Sequence, residues 1–426
     1  MPTLQQQIQN NAFQETFNQL YRYPETAKER YLLLVHSFKE HFKTEPTALF
    51  STPGRSELIG NHTDHQQGKV IATAIDLDMI AVVAPNQQNI IRVQTEGFNI
   101  PPLNLDNLAI NPDEFGTSLA LIRGICARFQ QLGYAIGGFS ASIQSDILEG
   151  SGLSSSAAFE VLIATILSHL YNHAMIDPIT IAQISQYSEN HYFNKPCGLM
   201  DQLACSVGGV IAIDFYNPKI PKVTPIPFNL AQTDYELCII NTGGSHADLT
   251  EDYRAIKDEM QAVAQFFQKE RLSEVDPRHF TQNLPDLRQK VSDRSLLRTM
   301  HFFGENMRVE QSIKYLQKNN LPEFLRLFAD SGASSFKYLQ NIYSSKDPLH
   351  QHLALALALA EDFLSKNGIA RVHGGGFAGT IQVFLKSDNL QEFKEKMDNI
   401  FGQDASIVLN IRPIGSIQLQ PQDNHG

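Results

Sequence analysis

The sequence predicts an α+β fold divided into two domains, and three observations carry that prediction. The chain has 426 residues, more than one hydrophobic core ordinarily organises. Strand-like and helix-like segments are intermixed without the strict alternation that builds a doubly wound parallel sheet. The proline-bearing stretch Pro218–Pro227 marks a boundary, giving domains of residues 1–228 and 229–426 with no internal repeat.

Each element has a local reason. Pro24 opens a segment to Phe42 that carries Tyr31, Leu34, Val35, Phe38 and Phe42 at helical spacing. Leu49–Ser51 reads as a short strand entering a turn at Thr52–Arg55. Three strand-like runs follow, Val70–Ile75, Met79–Ala84 and Asn89–Thr95, with a turn signal at Pro85–Asn86. Leu119–Leu132 is helical and Phe139–Gln144 is a strand. Ala157–Tyr171 and Ile179–Asn190 are helices, and Val210–Phe215 is a strand. In the second half Tyr235–Asn241 is a strand, long helical stretches run through Leu364, and Ile369–His373, Thr380–Leu385 and Ser406–Ile411 close the chain as strands.

Composition narrows the function. Apolar content of 42% and charged content of 19% are those of an ordinary globular protein. A formal charge of −11 with no basic block argues against nucleic acid or an anionic membrane as partner and suits a small metabolite. The four cysteines form no C-x-x-C pair, which fits a cytoplasmic protein without structural zinc. Residues 1–19 lack the apolar core of a signal peptide, and no run is apolar enough to span a bilayer.

The segment Gly150-Ser151-Gly152-Leu153-Ser154-Ser155-Ser156-Ala157-Ala158 reads as a phosphate cradle. Small residues let backbone N–H groups approach an anion, and the helix that follows supplies unpaired N–H donors and the positive end of its dipole. Gly60–Gly68 packs Asn61, His62, Thr63, Asp64 and His65 between apolar segments, a density of donors and acceptors that suits a polyhydroxylated ligand. His62, Asp64 and His65 lack the i, i+4 spacing of a zinc helix. Asp201, among Leu199, Met200 and Leu203, is either a helix cap or a functional carboxylate. Gly374–Gly379 formally matches G-x-G-x-x-G but precedes a strand, so it is not a dinucleotide fingerprint, and no Walker A loop is present.

Five segments in chain order together resemble the GHMP family of small-molecule kinases and, within it, the galactokinase branch. They are Pro53-Gly54-Arg55-Ser56-Glu57-Leu58-Ile59-Gly60-Asn61-His62-Thr63-Asp64-His65, the Gly150–Ala157 loop, Pro196-Cys197-Gly198-Leu199-Met200-Asp201-Gln202, Gly304-Glu305-Asn306-Met307-Arg308-Val309 and Gly374–Gly379. The resemblance implies an N-terminal α+β domain and a C-terminal ferredoxin-like α+β domain with the active site between them. It implies transfer of the γ-phosphoryl group of ATP, with Mg²⁺, to the anomeric hydroxyl of a sugar, galactose above all, by a cytoplasmic monomer.

By position in these motifs, Asp201 would take the hydroxyl proton, and Arg55 would hold Asp201 ionised while stabilising the moving phosphoryl group. Gly150, Ser151, Gly152, Leu153, Ser154, Ser155 and Ser156 would bind ATP, and Ser155 and Glu189 would hold Mg²⁺. Asn61, His62, Asp64, Gly198 and Tyr253 would bind the sugar. The chain departs from the family pattern at Glu57 for Asn, Asn61 for Glu, His65 for Tyr, Leu148 for Pro and Gly332 for His. Since the family glutamate meets the hydroxymethyl end of galactose, Asn61 admits galacturonate, L-arabinose or N-acetylgalactosamine as alternative substrates. A non-catalytic sugar sensor is the rival of another class.

Overall fold

The computed structural model describes residues 2–97, 99–148, 152–244 and 249–422. Its strands are β1 (Ala48–Ile59), β2 (Lys69–Pro85), β3 (Ile90–Thr95), β4 (Leu103–Asn104), β5 (Phe139–Ser145), β6 (Val210–Asp214), β7 (Lys222–Ile226), β8 (Tyr235–Asn241), β9 (Gly368–Val372), β10 (Thr380–Lys386), β11 (Ser406–Leu409) and β12 (Ile417–Leu419). One eight-stranded sheet runs β12-β1-β2-β5-β3-β4, with β6 on β2 and β7 on β6; a four-stranded sheet runs β11-β8-β10-β9.

Alternation places the core. On the first sheet Leu49, Ile80 and Val82 face the helix Pro24–Phe42, packing on Tyr31, Val35 and Phe38. Their neighbours Phe50, Ala81 and Val83 face the opposite way, toward the helix Ser155–Tyr171, which is buried from Ala157 through Ser168. A period of two thus feeds two layers from one strand. The second sheet repeats the device: Cys238, Ile240, Ile381 and Val383 pack on the helices His352–Leu364 and Leu390–Phe401, while Leu237, Ile239 and Phe384 turn toward Phe324 and Phe328. Each buried Val, Leu, Ile or Phe among them contributes about 1.5–3 kcal/mol by leaving water.

Two expectations need correction. The turn read at Thr52–Arg55 lies inside β1, which passes straight through it with a register shift between Pro53 and Arg55. The runs Val70–Ile75 and Met79–Ala84 are one strand, β2, whose first part pairs with β6 and whose last part pairs with β5. The end of the chain leaves the second sheet: β12 pairs with β1 at Leu49–Ser51. Among the described residues no helix is long and apolar enough to cross a membrane.

Candidate active site

The irregularity in β1 has a purpose. A Cβ at Gly54 would sit 3.0 Å from the Leu153 carbonyl oxygen, and the Arg55 N–H donates to that same oxygen at 3.1 Å. The expected phosphate loop is therefore laid on β1 at Leu153, beside Arg55. Arg55 grips Asp201 in a two-pronged pair, Nε to Oδ1 at 2.8 Å and Nη2 to Oδ2 at 2.6 Å, while its Nη1 donates to the Gly152 carbonyl. Such forked pairing fixes geometry as well as charge.

Asp201 is the second residue of the helix Met200–Val207 and makes no cap hydrogen bond. Its Oδ2 also accepts from Ser154 Oγ at 2.6 Å. Burial pushes this carboxyl up, but the Arg55 charge and the hydrogen bonds from Arg55 and Ser154 outweigh it and hold Asp201 below the usual carboxylate range. The side chain remains 30% exposed, open to a ligand.

Ser154 adopts a left-handed backbone, φ 63°, immediately before the helix that Ser155 and Ser156 open. Gly152 also has positive φ, and Leu153 is fully buried, anchoring the loop. Gly150 and Ser151 lie outside the described residues. Glu189, on the helix Pro178–His191, is buried; its Oε1 accepts from Lys195 Nζ at 3.0 Å and its Oε2 from Gln202 Nε2 at 2.9 Å. Gln202 Nε2 also reaches Glu160 Oε2 at 3.0 Å.

Three of the expected sugar residues, Asn61, His62 and Tyr253, converge on the glycine loop between β9 and β10. Asn61 Nδ2 donates to the Gly374 carbonyl at 2.7 Å, His62 Nε2 to the Gly375 carbonyl at 2.8 Å, and Tyr253 Oη to the Gly376 carbonyl at 2.9 Å. The His62 and Tyr253 rings lie nearly parallel with centroids 6.5 Å apart. Asp64 Oδ2 occupies the space that a Cβ at Gly198 would need, which explains the glycine there. Burial raises the Asp64 carboxyl, and the nearby Asp201 charge adds to the rise while His62 opposes it.

Asn61 is set differently from the other four. It is 1% exposed, and its amide is fully employed: beyond Gly374, Nδ2 lies 3.3 Å from Glu57 Oε2, and Oδ1 accepts from Asn341 Nδ2 at 2.8 Å. Glu57 in turn pairs with the buried Arg371 at 2.8 Å, and Arg371 Nη1 donates to the Leu58 carbonyl at 2.6 Å. Gly332 lies against Arg371, where a Cβ would come within 2.9 Å of the Arg371 Cβ. The departures at 57, 61 and 332 thus belong to one cluster, linked through Arg371 and Glu57. His65, another departure, has both ring nitrogens enclosed without a hydrogen-bond partner, and burial drives it well below the ordinary histidine range.

Four supporting residues were not assigned roles from sequence. Glu305 Oε1 accepts from the Gly60 N–H at 3.0 Å and from Ser331 Oγ at 2.5 Å, and its Oε2 accepts from Arg308 Nε at 2.7 Å. Burial would raise it, but His301, Arg308 and Arg371 and the Ser331 bond bring it to about 2. His301 Nε2 donates to the Asn61 carbonyl at 2.9 Å, and burial lowers this histidine to about 4. His373 bridges Thr380 Oγ1 at 2.9 Å and Ser56 Oγ at 3.0 Å, and its Nδ1 faces the open side of Gly152. Asn341 is the fourth. The G-E-N motif was the only sequence signal for any of them.

Residues 36–85 match the galactokinase galactose-binding signature and residues 120–209 the GHMP kinases N terminal domain. The structure is similar to that of Lactococcus lactis galactokinase complexed with galactose, at 24% identity over 90% of this chain and 98% of that one, TM-score 0.75. It is similar also to Methanococcus jannaschii mevalonate kinase, at 17% identity over 86% and 98%, TM-score 0.58. Streptococcus pneumoniae phosphomevalonate kinase matches at 10% identity over 88% and 100%, TM-score 0.59.

Proposed function

From the premise that this chain has the GHMP kinase fold and carries a galactokinase galactose-binding signature, we propose that it transfers the γ-phosphoryl group of ATP to the anomeric hydroxyl of galactose. The observation that carries the reading is the shared use of Asp201. One carboxylate accepts from Arg55 and from Ser154 at the head of the phosphate helix, so proton acceptor and phosphate cradle form one unit.

In the reaction the anomeric oxygen bonds to the γ-phosphorus as the bond from that phosphorus to the β,γ-bridging oxygen breaks. ADP leaves, and the hydroxyl proton passes to Asp201. Arg55 keeps Asp201 ionised until then and offsets negative charge beside the phosphates. The N–H groups of the first turn at Ser155 and Ser156 face the incoming anion.

Ser155 and Glu189 suit Mg²⁺. A hydroxyl and a carboxylate are hard oxygen donors, and Glu189 already holds a cation, the Lys195 ammonium, on a side chain 59% exposed and able to move aside. When bound, Mg²⁺ neutralises charge on the β- and γ-phosphates. His62, Asp64, Gly198 and Tyr253 form the sugar side, and Asn61 supports it from behind.

The test is a panel of galactose, galacturonate, L-arabinose and N-acetylgalactosamine with coupled ADP detection and phosphorus NMR of the product. Galactose giving a 1-phosphate is the expected result. Turnover of another panel sugar but not galactose would correct the substrate, and turnover of none would refute the kinase reading in favour of a sensor.

A further inference from the structure

We propose that the cavity between the helix Asp293–Leu316 and the segment from Phe336 to Ser345 is a second ligand site, shaped for a small aryl carboxylate held by Arg294 and Arg298. It uses none of the residues assigned above to sugar or nucleotide, and it stands whether or not the kinase reading does.

Arg294 and Arg298 lie one turn apart on the same face of their helix, where like charges repel unless an anion sits between them. Glu259, from the packed helix Thr250–Phe266, is that anion: it accepts from Arg294 Nε at 2.9 Å and from Arg298 Nη1 at 2.9 Å. One carboxylate thus answers two guanidinium groups. Arg298 is only 2% exposed, and its Nε donates to the Leu339 carbonyl at 3.1 Å. Its Nη2 has no hydrogen-bond partner among the described residues, although the side chain forms part of the cavity wall. A buried guanidinium short of acceptors is costly, and burial accordingly brings Arg298 down to about 10 against the pull of Glu259.

The cavity holds about 220 Å³, less than the roughly 300–1,000 Å³ of sites for larger ligands, so its occupant has one ring. Phe336, Ile342, Tyr343 and Phe377 supply apolar wall. Gln340, left-handed at φ 58°, ends the π-helical turn Ser335–Leu339, and the chain returns so that residues before and after it line one space. Phe336 is 48% exposed, an aromatic ring at the mouth of a cavity whose interior carries a cation. Asp252, the acid in the wall, accepts from Ser344 Oγ at 2.9 Å. Two guanidinium groups against Glu259 and Asp252 leave the surroundings neutral overall. A dianion such as phosphate would meet two carboxylates there, whereas a single carboxylate matches the unused guanidinium edge. The Phe377 ring meets the Tyr253 ring at 78° with centroids 5.5 Å apart, so the cavity adjoins the sugar side without opening into its residues.

The probe is benzoate, measured on the full chain by calorimetry and ligand-observed saturation-transfer NMR, alone and with galactose and a non-hydrolysable ATP analogue present. Saturable binding with Kd of about 1 mM or tighter is expected, undiminished by sugar and nucleotide, with benzamide and inorganic phosphate about tenfold weaker or more. Arg298→Met should abolish binding, but it also strips the buried Leu339 carbonyl of its donor and can unfold the protein. Arg294→Gln and Phe336→Ala alter the exposed rim instead, and each should weaken benzoate about tenfold with little change in melting temperature. Absence of saturable binding to the folded native protein would overturn the proposal. So would equal affinity for benzamide, displacement by galactose or the nucleotide analogue, or affinity that neither rim variant changes. Each of these results leaves the kinase reading untouched, since that reading is judged by turnover of the sugar panel.

Discussion

Replacing Asp201 by Asn isolates the proposed proton acceptor from the architecture around it. In the native site Oδ1 accepts from Arg55 Nε at 2.8 Å, and Oδ2 accepts from Arg55 Nη2 and Ser154 Oγ, each at 2.6 Å. An amide accepts through one atom only, so its NH₂ is set against donors on the other side. Opposite charges with centres about 4 Å apart attract by about 4 kcal/mol at an effective dielectric of 20, and desolvation offsets much of that, leaving a net stability loss of about 1–3 kcal/mol. The protein should stay folded with a melting temperature lower by several degrees. Loss of a positioned base should lower kcat about 10²- to 10⁴-fold. Because the folded carboxyl titrates below its ordinary value, its contribution to stability is fully present above about pH 4 and is lost as pH falls through the lower folded value. Coupled ADP release and thermal melting read the two effects separately. A folded Asp201→Asn protein with kcat within about tenfold of the native value would refute the base assignment.

Gly198→Ala places a methyl group where Asp64 Oδ2 now sits, so KM for the sugar should rise about tenfold or more with little change in melting temperature; an unchanged KM would separate Asp64 from the site. Glu57→Ala strands the Arg371 guanidinium, whose side chain is 0% exposed, and should cost about 3–5 kcal/mol in a urea titration. Glu305, brought down to about 2 from an ordinary value near 4.5, stabilises the fold by about 3 kcal/mol above pH 5, and this is lost as pH falls toward 2. Glu305→Gln should therefore be less stable at neutral pH and show a flatter acid-denaturation profile, checked by stability curves across that range.

Segments whose local preference agreed with their surroundings were legible in the sequence. The helix Pro24–Phe42 and the strand Tyr235–Asn241 fall where spacing put them, because their apolar faces match the layers they meet. Pro53 and Gly54 misled, since the proline and glycine that mark a turn here mark a bulge that lets Leu153 approach β1. β2 reads as two strands because Asp76 and Asp78 interrupt its apolar run, between the part that pairs with β6 and the part that pairs with β5. The Arg55–Asp201 pair was anticipated through the motifs. The employment of Asn61 was not, because Asn341 and Gly374 are some 280 and 313 positions away and only folding brings them to it.

The return of β12 to β1 has a consequence for synthesis. Asp78 is fully buried and is paired with Arg30 at 2.9 Å, yet its second partner, Arg412 at 3.3 Å, and the edge strand beside Ser51 are translated more than three hundred residues later. Until those residues are made, the β1 edge lacks β12 and Asp78 has Arg30 but not Arg412 as a cationic partner. That is the state most apt to pair with a neighbouring nascent chain. The strand β12 thus completes that edge: a chain cut short of it would leave Leu49–Ser51 of β1 without its partner.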